Sequence, residues 1–202
     1  MRIAVFARTR SHARPWPARL LLPMLAWLLI PAWALARPAL GPAVLSTLLW
    51  GLKDGKYSIV SNLQPRTLDA APYVLTASAT EGDAQVTIQE GHFGDLKQSW
   101  LIQDTGKGSY TITSVANGRH IYVANGNGNQ VKFSPKGEAP SEYSEWTLAG
   151  PDTRYAIRPV HDNGQNLNVF GNNGNYASGN PVGTWGWGDG QPNETWHFDA
   201  PY

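Results

Sequence analysis

From Tyr57 to Phe198 apolar residues return in pairs at i, i+2, and the i, i+3, i+4 spacing of a helix is absent. The pairs are Tyr57/Ile59, Leu68/Ala70, Val86/Ile88 and Trp100/Ile102, then Tyr110/Ile112, Ile121/Val123, Val131/Phe133 and Trp146/Leu148. The last set is Tyr155/Ile157, Leu167/Val169, Val182/Thr184 and Trp196/Phe198. Each pair points two side chains to one face of a strand. The twelve segments form three groups of four, each opening on Tyr-x-Ile and closing on Trp-x-apolar, with starts 53 and then 45 residues apart. A four-stranded unit this short buries a single face, so three of them must close on a shared axis. The pattern predicts an all-β fold, a β-trefoil of twelve strands with pseudo-threefold symmetry. A four-bladed propeller shares the four-strand unit, but three copies are too few for a blade ring.

Turn chemistry falls where this division requires it. Asn117-Gly118 and Asn163-Gly164 lie between strands one and two of the second and third copies, where residues tolerant of positive φ are expected, and Pro65 occupies the same gap in the first. Stretches rich in Gly and Asn, 125–129 and 171–175, separate strands two and three.

The first 53 residues are of another kind. They hold six Arg, Lys53 and no acidic residue, with an apolar run from Leu20 to Ala36 broken by Pro23 and Pro31. Basic start, apolar core and Ala34-Leu35-Ala36 read as a secretory signal peptide over 1–36. The run is short for a bilayer span and its prolines oppose a helix, which makes a signal anchor the lesser reading. An organellar transit peptide shares the composition, and a start codon placed too early would leave a cytoplasmic protein. Residues 37–53 then form an apolar linker, and the domain occupies 54–202.

Removing the leader reverses the charge. Nine Lys and Arg face fifteen Asp and Glu from Asp54 onward, a net charge of −6. A domain so charged lacks the basic patch that a phosphate backbone or an anionic membrane surface requires, so no nucleic acid is expected as a partner. The absence of cysteine removes thiol nucleophiles, CxxC metal sites and disulfides. His92, His120, His161 and His197 stand singly, without HExxH spacing, and no serine sits in a GxSxG elbow. Glu81/Asp83 and Glu142/Glu145 read as solvated loop charges. No metal, cofactor or catalytic constellation is expected.

The ends of the copies carry a resemblance. Gln98-Ser99-Trp100 fits the Q-x-W motif of ricin-type (R-type) lectins, while Ser144-Glu145-Trp146 and Glu194-Thr195-Trp196 keep the tryptophan. In the third copy Leu167-Asn168-Val169, then Gly179 to Trp185, then Gly190 to Trp196 resemble the family's L-D-V, N-G-T-P-V-Q-x-W and G-G-x-N-Q-x-W phrases. Small fungal trefoil lectins are the most similar overall, and the resemblance spans Gly55 to Phe198. It implies a ricin B-like lectin domain that binds carbohydrate without catalysis, its partners glycans or glycoproteins, with membrane association only if the leader is retained.

In that family an Asp in the second strand accepts hydrogen bonds from sugar hydroxyls, an aromatic after the third strand stacks on the ring, and an Asn before the last Trp completes the rim. Carried across, this assigns Asn168, Trp185 and Asn193 in the third copy, and Asp69 and Gln98 in the first. At Asn168 an amide replaces the carboxylate and loses its charge-assisted bond. The second copy, with Tyr122 at the Asp position and Phe133 near the stacking position, reads as degenerate.

Bland roles compete with each assignment. Trp100, Trp146 and Trp196 recur at one point of every repeat and read as core. Trp185 and Trp187 alternate with glycines, so at most one faces inward, and an exposed one offers a stacking surface. Asn193-Glu194-Thr195 is also a glycosylation sequon, a use that conflicts with sugar contact at Asn193. A protease inhibitor of the same fold, acting through loops 72–83 or 134–145, is the alternative, on fold analogy alone.

Overall fold

The computed structural model describes residues 51–65, 69–81, 84–124 and 127–201. Among them are twelve strands. The first copy holds β1 (Gly55–Ser61), β2 (Tyr73–Ala77), β3 (Val86–Glu90) and β4 (Trp100–Asp104), and the second β5 (Tyr110–Ser114), β6 (Ile121–Tyr122), β7 (Lys132–Phe133) and β8 (Glu145–Ala149). The third holds β9 (Ala156–Pro159), β10 (Gln165–Val169), β11 (Val182–Gly186) and β12 (Trp196–Asp199).

The first and last strand of every copy form a ring. β1 pairs antiparallel with β12 and with β4, β4 with β5, β5 with β8, and β8 with β9. Tyr155, directly before β9, and Trp196 of β12 close it by exchanging backbone N–H···O bonds of 2.7 and 2.9 Å. The middle strands make three hairpins, β2–β3, β6–β7 and β10–β11. Single bridges lock them in a cycle: Gln85 to Lys132, Gln130 to Gly183, and Pro181 to Thr87. A six-stranded barrel capped by a hairpin triplet is a β-trefoil.

The core repeats with the same symmetry. Ile59, Ile112 and Ile157 are buried, as are Leu75, Ile121 and Leu167, then Val86, Val131 and Val182, then Trp100, Trp146 and Trp196. Each indole N–H donates to the carbonyl of a core residue in the second strand: Trp100 to Leu75 at 2.8 Å, Trp146 to Ile121 at 3.3 Å, Trp196 to Leu167 at 2.9 Å. The bond places a polar atom in the core at no cost in unpaired groups, and it ties each barrel strand to its hairpin.

This repeated bond corrects the strand expected at Leu68/Ala70. Leu68 lies outside the described residues and Ala70 sits in a bend; the second strand is Tyr73–Ala77, so Leu75/Ala77 is the counterpart of Ile121/Val123 and Leu167/Val169. Both pairs have the same Leu-x-Ala form, and only the second lies where Trp100 can reach it. The turns also differ from expectation in one place. Gly118 has φ +67° and Asn117 Oδ1 accepts from the Arg119 N–H at 2.9 Å, whereas Asn163 keeps a right-handed φ of −72° after a 3-10 turn over Val160–Asp162. The end of the expected linker packs on the barrel: Leu52 meets the core and the Lys53 carbonyl accepts from the Tyr57 hydroxyl at 2.9 Å. The expected leader lies outside the described residues.

Candidate functional site

Equivalence by the tryptophan bond fixes which residues stand at matching points of the three copies. The residue after the bonded carbonyl is Thr76, Tyr122 or Asn168, and the ladders then set Gln89, Ser134 and Trp185 in register. Three residues before the tryptophan stand Lys97, Tyr143 and Asn193. The third copy alone combines side-chain amides with an aromatic.

Asn168, Trp185 and Asn193 meet in one cleft of about 400 Å³. Asn193 Nδ2 donates to Asn168 Oδ1 at 3.0 Å, and Asn168 Nδ2 donates to the Asn166 carbonyl at 3.1 Å. Asn168 is only 3% exposed, so it fixes the orientation of Asn193, which is half-buried in the lining. Trp185 is 54% exposed. A chain segment of the second copy runs beside it: the Gly128 N–H donates to the Thr184 carbonyl at 2.8 Å, and a side chain at Gly128 would start 3.5 Å from the indole.

Sequence reasoning missed part of this wall. Tyr176 and Phe170 also line the cleft. Both need a glycine beside them, since a Cβ on Gly171 would stand 2.6 Å from the Tyr176 ring and one on Gly183 would stand 2.4 Å from Phe170. The pairing of Gly171 with an aromatic five residues on, inside the hairpin loop, was the available signal. Burial, with Glu194 nearby, raises the Tyr176 hydroxyl above its ordinary pKa, which keeps it a neutral donor.

Glu194 holds the loop before the last strand. Its carboxylate accepts from the N–H groups of Gly188, Gly190 and Gln191 at 2.7 to 2.8 Å, in a capping box over Pro192–Glu194. Gln98 does the same in the first copy, accepting from the His92 N–H at 2.7 Å and donating to the Glu90 carbonyl at 2.8 Å. It is 2% exposed with both ends engaged, so it braces a loop and has no group to offer a ligand. Asp69 is exposed in a turn before β2, where Thr76 holds the equivalent strand position, so the first copy does not gather its expected contacts.

The second copy is a different cleft, about 290 Å³, lined by Tyr122, Ser134, Pro135 and Tyr143. Phe133 is not at its stacking position; it is buried and stacks on Trp100 with centroids 6.2 Å apart. Trp187, beyond the third cleft, lies under the Arg158 guanidinium at 5.2 Å. Of the loops considered for protease contact, 72–83 contains the buried strand β2, while 135–143 is exposed.

The family model for ricin-type β-trefoil lectin-like domains matches residues 47–134 and 96–185. The chain belongs to this family. No curated protein sequence matches it. Among solved structures, the designed threefold-symmetric protein ThreeFoil is similar at 23% identity and a TM-score of 0.58, over 73% of this chain and 99% of that one. The Macrolepiota procera ricin B-like lectin, solved in complex with lactose, is similar at 20% identity and a TM-score of 0.59, over 75% and 99%. An exo-β-1,3-galactanase from Clostridium thermocellum matches at 21% identity and a TM-score of 0.57, over 71% of this chain and 29% of that enzyme. At these identities the lectin-like domain shares their trefoil fold.

Proposed function

We propose that this lectin-like domain binds carbohydrate without transforming it, and that a sugar sits in the third-copy cleft. The observation that carries the reading is the half-exposed Trp185 in one cleft with Asn193 and Tyr176. A pyranose has an apolar C–H face and a rim of hydroxyls; the first suits an indole, the second suits an amide and a phenol. Asn168 acts through Asn193 by holding its amide. The described residues of the lining include no carboxylate, histidine or lysine, which supports holding a ligand over proton transfer to it. Membership of a lectin-like family supports the ligand class, and the lactose complex of the Macrolepiota lectin is an instance of it. The proposal extends to the compartment: the leader over 1–36 is an export signal, and the partners are glycans or glycoproteins outside the cell.

The full chain applied to a glycan array, in parallel with a panel of proteases, tests the reading against the inhibitor alternative. Binding to a defined set of glycans without protease inhibition is expected. Inhibition of a protease with no glycan bound would overturn it.

A further inference from the structure

The chain holds five Asn-Gly pairs, at 117–118, 125–126, 127–128, 163–164 and 173–174. An asparagine before glycine can react with its own backbone, because the missing Cβ leaves the next amide nitrogen unhindered. That nitrogen must be free of other bonds, and the structure separates the pairs on this point. The Gly118 N–H donates to the Ser114 carbonyl at 2.9 Å, and the Gly128 N–H to the Thr184 carbonyl at 2.8 Å. Asn163 follows a 3-10 turn in the right-handed region, and a Cβ on Gly164 would stand 3.4 Å from Asp162 Oδ1, a charge that opposes deprotonation of the nitrogen. The 125–126 pair lies outside the described residues.

Asn173-Gly174 is placed otherwise. Both residues have positive φ, +51° and +77°, and the Asn175 N–H donates to the Asn172 carbonyl at 2.9 Å across them. This is a type I′ turn, in which the turn bond does not use the N–H of the second central residue. Among the described residues the Gly174 N–H meets no acceptor, and beyond its chain neighbours nothing stands within 4 Å of the place a Cβ would take. All four turn residues are exposed.

The same turn frames the third-copy cleft. Gly171 lies directly before it and Tyr176 directly after, and both line that cleft. A Cβ on Gly171 would stand 2.9 Å from the Asn175 carbonyl oxygen and 2.6 Å from the Tyr176 ring. A turn packed so closely on its base has no slack for a longer backbone.

We propose that Asn173 is a self-modifying site whose deamidation weakens the third-copy cleft, an inference that rests on the sugar reading of that cleft. Base removes the Gly174 amide proton, and the nitrogen attacks Asn173 Cγ. The new N–C bond forms as the Cγ–Nδ2 bond breaks, and the amide leaves as ammonia with a proton taken from water. Water then opens the imide at either carbonyl. Opening at Cγ gives Asp in an unchanged backbone; opening at the Asn173 main-chain carbonyl gives isoaspartate, with one methylene added to the chain. Either product sets a carboxylate beside a cleft whose described lining residues include none, and the second also displaces Asn175 and Tyr176.

The test ages the full chain in mildly alkaline buffer. Peptide mapping by mass spectrometry, with isoaspartate labelling, reads conversion at each Asn-Gly pair, and calorimetric titration with a glycan selected on the array reads affinity before and after. Conversion should be fastest at Asn173, rise with pH, and lower affinity of the converted protein about tenfold, the loss of one positioned contact. Asn173→Gly removes the amide and tolerates the positive φ, so its affinity should survive the same treatment. Faster conversion at another described Asn-Gly pair would overturn the proposal, as would an aged Asn173→Gly protein that loses as much affinity as the parent, or a converted parent that binds as before. A fresh parent that binds no glycan would overturn the sugar reading and the coupling together, a result distinct from a fresh parent that binds and an aged one that binds unchanged.

Discussion

Replacing Trp146 with Ala should cost about 3–5 kcal/mol of folding stability, in line with other large core aromatics. Trp146 has no exposed surface, donates its indole N–H to the Ile121 carbonyl, and is one of three buried tryptophans at the same point of each copy. A tryptophan buries roughly 150–250 Å², worth about 4–6 kcal/mol at ~25 cal/mol per Å². A compact unfolded chain reduces that by about 10–40%. The variant also strands the Ile121 carbonyl, which now accepts the indole N–H at 3.3 Å. Trp146→Phe separates the two effects, because it keeps most of the ring and removes only the donor. Urea denaturation followed by far-ultraviolet circular dichroism reads both, with a β-dominated spectrum expected for the parent protein. A loss below about 1 kcal/mol for Trp146→Ala would place this residue outside a core of the usual packing and refute the three-copy closure.

Further expectations concern loops, pH and processing. Glu194→Ala should destabilise the domain by more than about 2 kcal/mol in denaturant titrations, since three backbone N–H groups lose one acceptor, while Glu194→Gln should cost less. Burial lowers the pKa of His120, with Glu138 acting in the opposite sense. Its contribution to stability is therefore complete above the unfolded value of about 6.5 and is lost as pH falls through that value towards the lower folded one. The denaturation midpoint of the parent should drop over that window more than that of His120→Gln. Gly171→Ala should push the Tyr176 ring and the Asn175 carbonyl aside and weaken glycan binding in calorimetry while the β-dominated circular dichroism spectrum is retained. N-terminal sequencing of protein from its native host should find Arg37 first; an intact Met1 in a membrane fraction would contradict export by cleavage.

The barrel was legible in the sequence because its strands carry period-two pairs under strong constraint: Tyr-x-Ile and Trp-x-apolar each recur three times, and all six fall in ring strands apart from Tyr155, which directly precedes β9. The hairpins were less so. In the first copy Leu68-x-Ala70 and Leu75-x-Ala77 have the same form, and the choice between them depends on a contact with Trp100, 25 residues beyond Leu75 in the chain. That error moved the expected site to Asp69. Gln98 differs for a related reason: the motif residue two before the tryptophan braces the loop, and the position that matches Asn193 is one residue earlier, at Lys97 and Tyr143. The third copy was read with its strand in the right place, so Asn168, Trp185 and Asn193 came together. Tyr176 and Gly128 stayed hidden because they enter the cleft from a hairpin loop and from the neighbouring copy, neither of which follows from repeat spacing.

Glycan affinity of the Trp185→Ala protein is the most direct test of the central claim. Calorimetric titration with a glycan selected on the array should show binding by the parent chain and none by Trp185→Ala, while Gln89→Ala and Ser134→Ala, at the matching points of the other copies, bind as the parent does. Denaturation midpoints should be alike, since the indole is half exposed. Binding that survives Trp185→Ala and is lost in Gln89→Ala or Ser134→Ala would contradict the third-copy site.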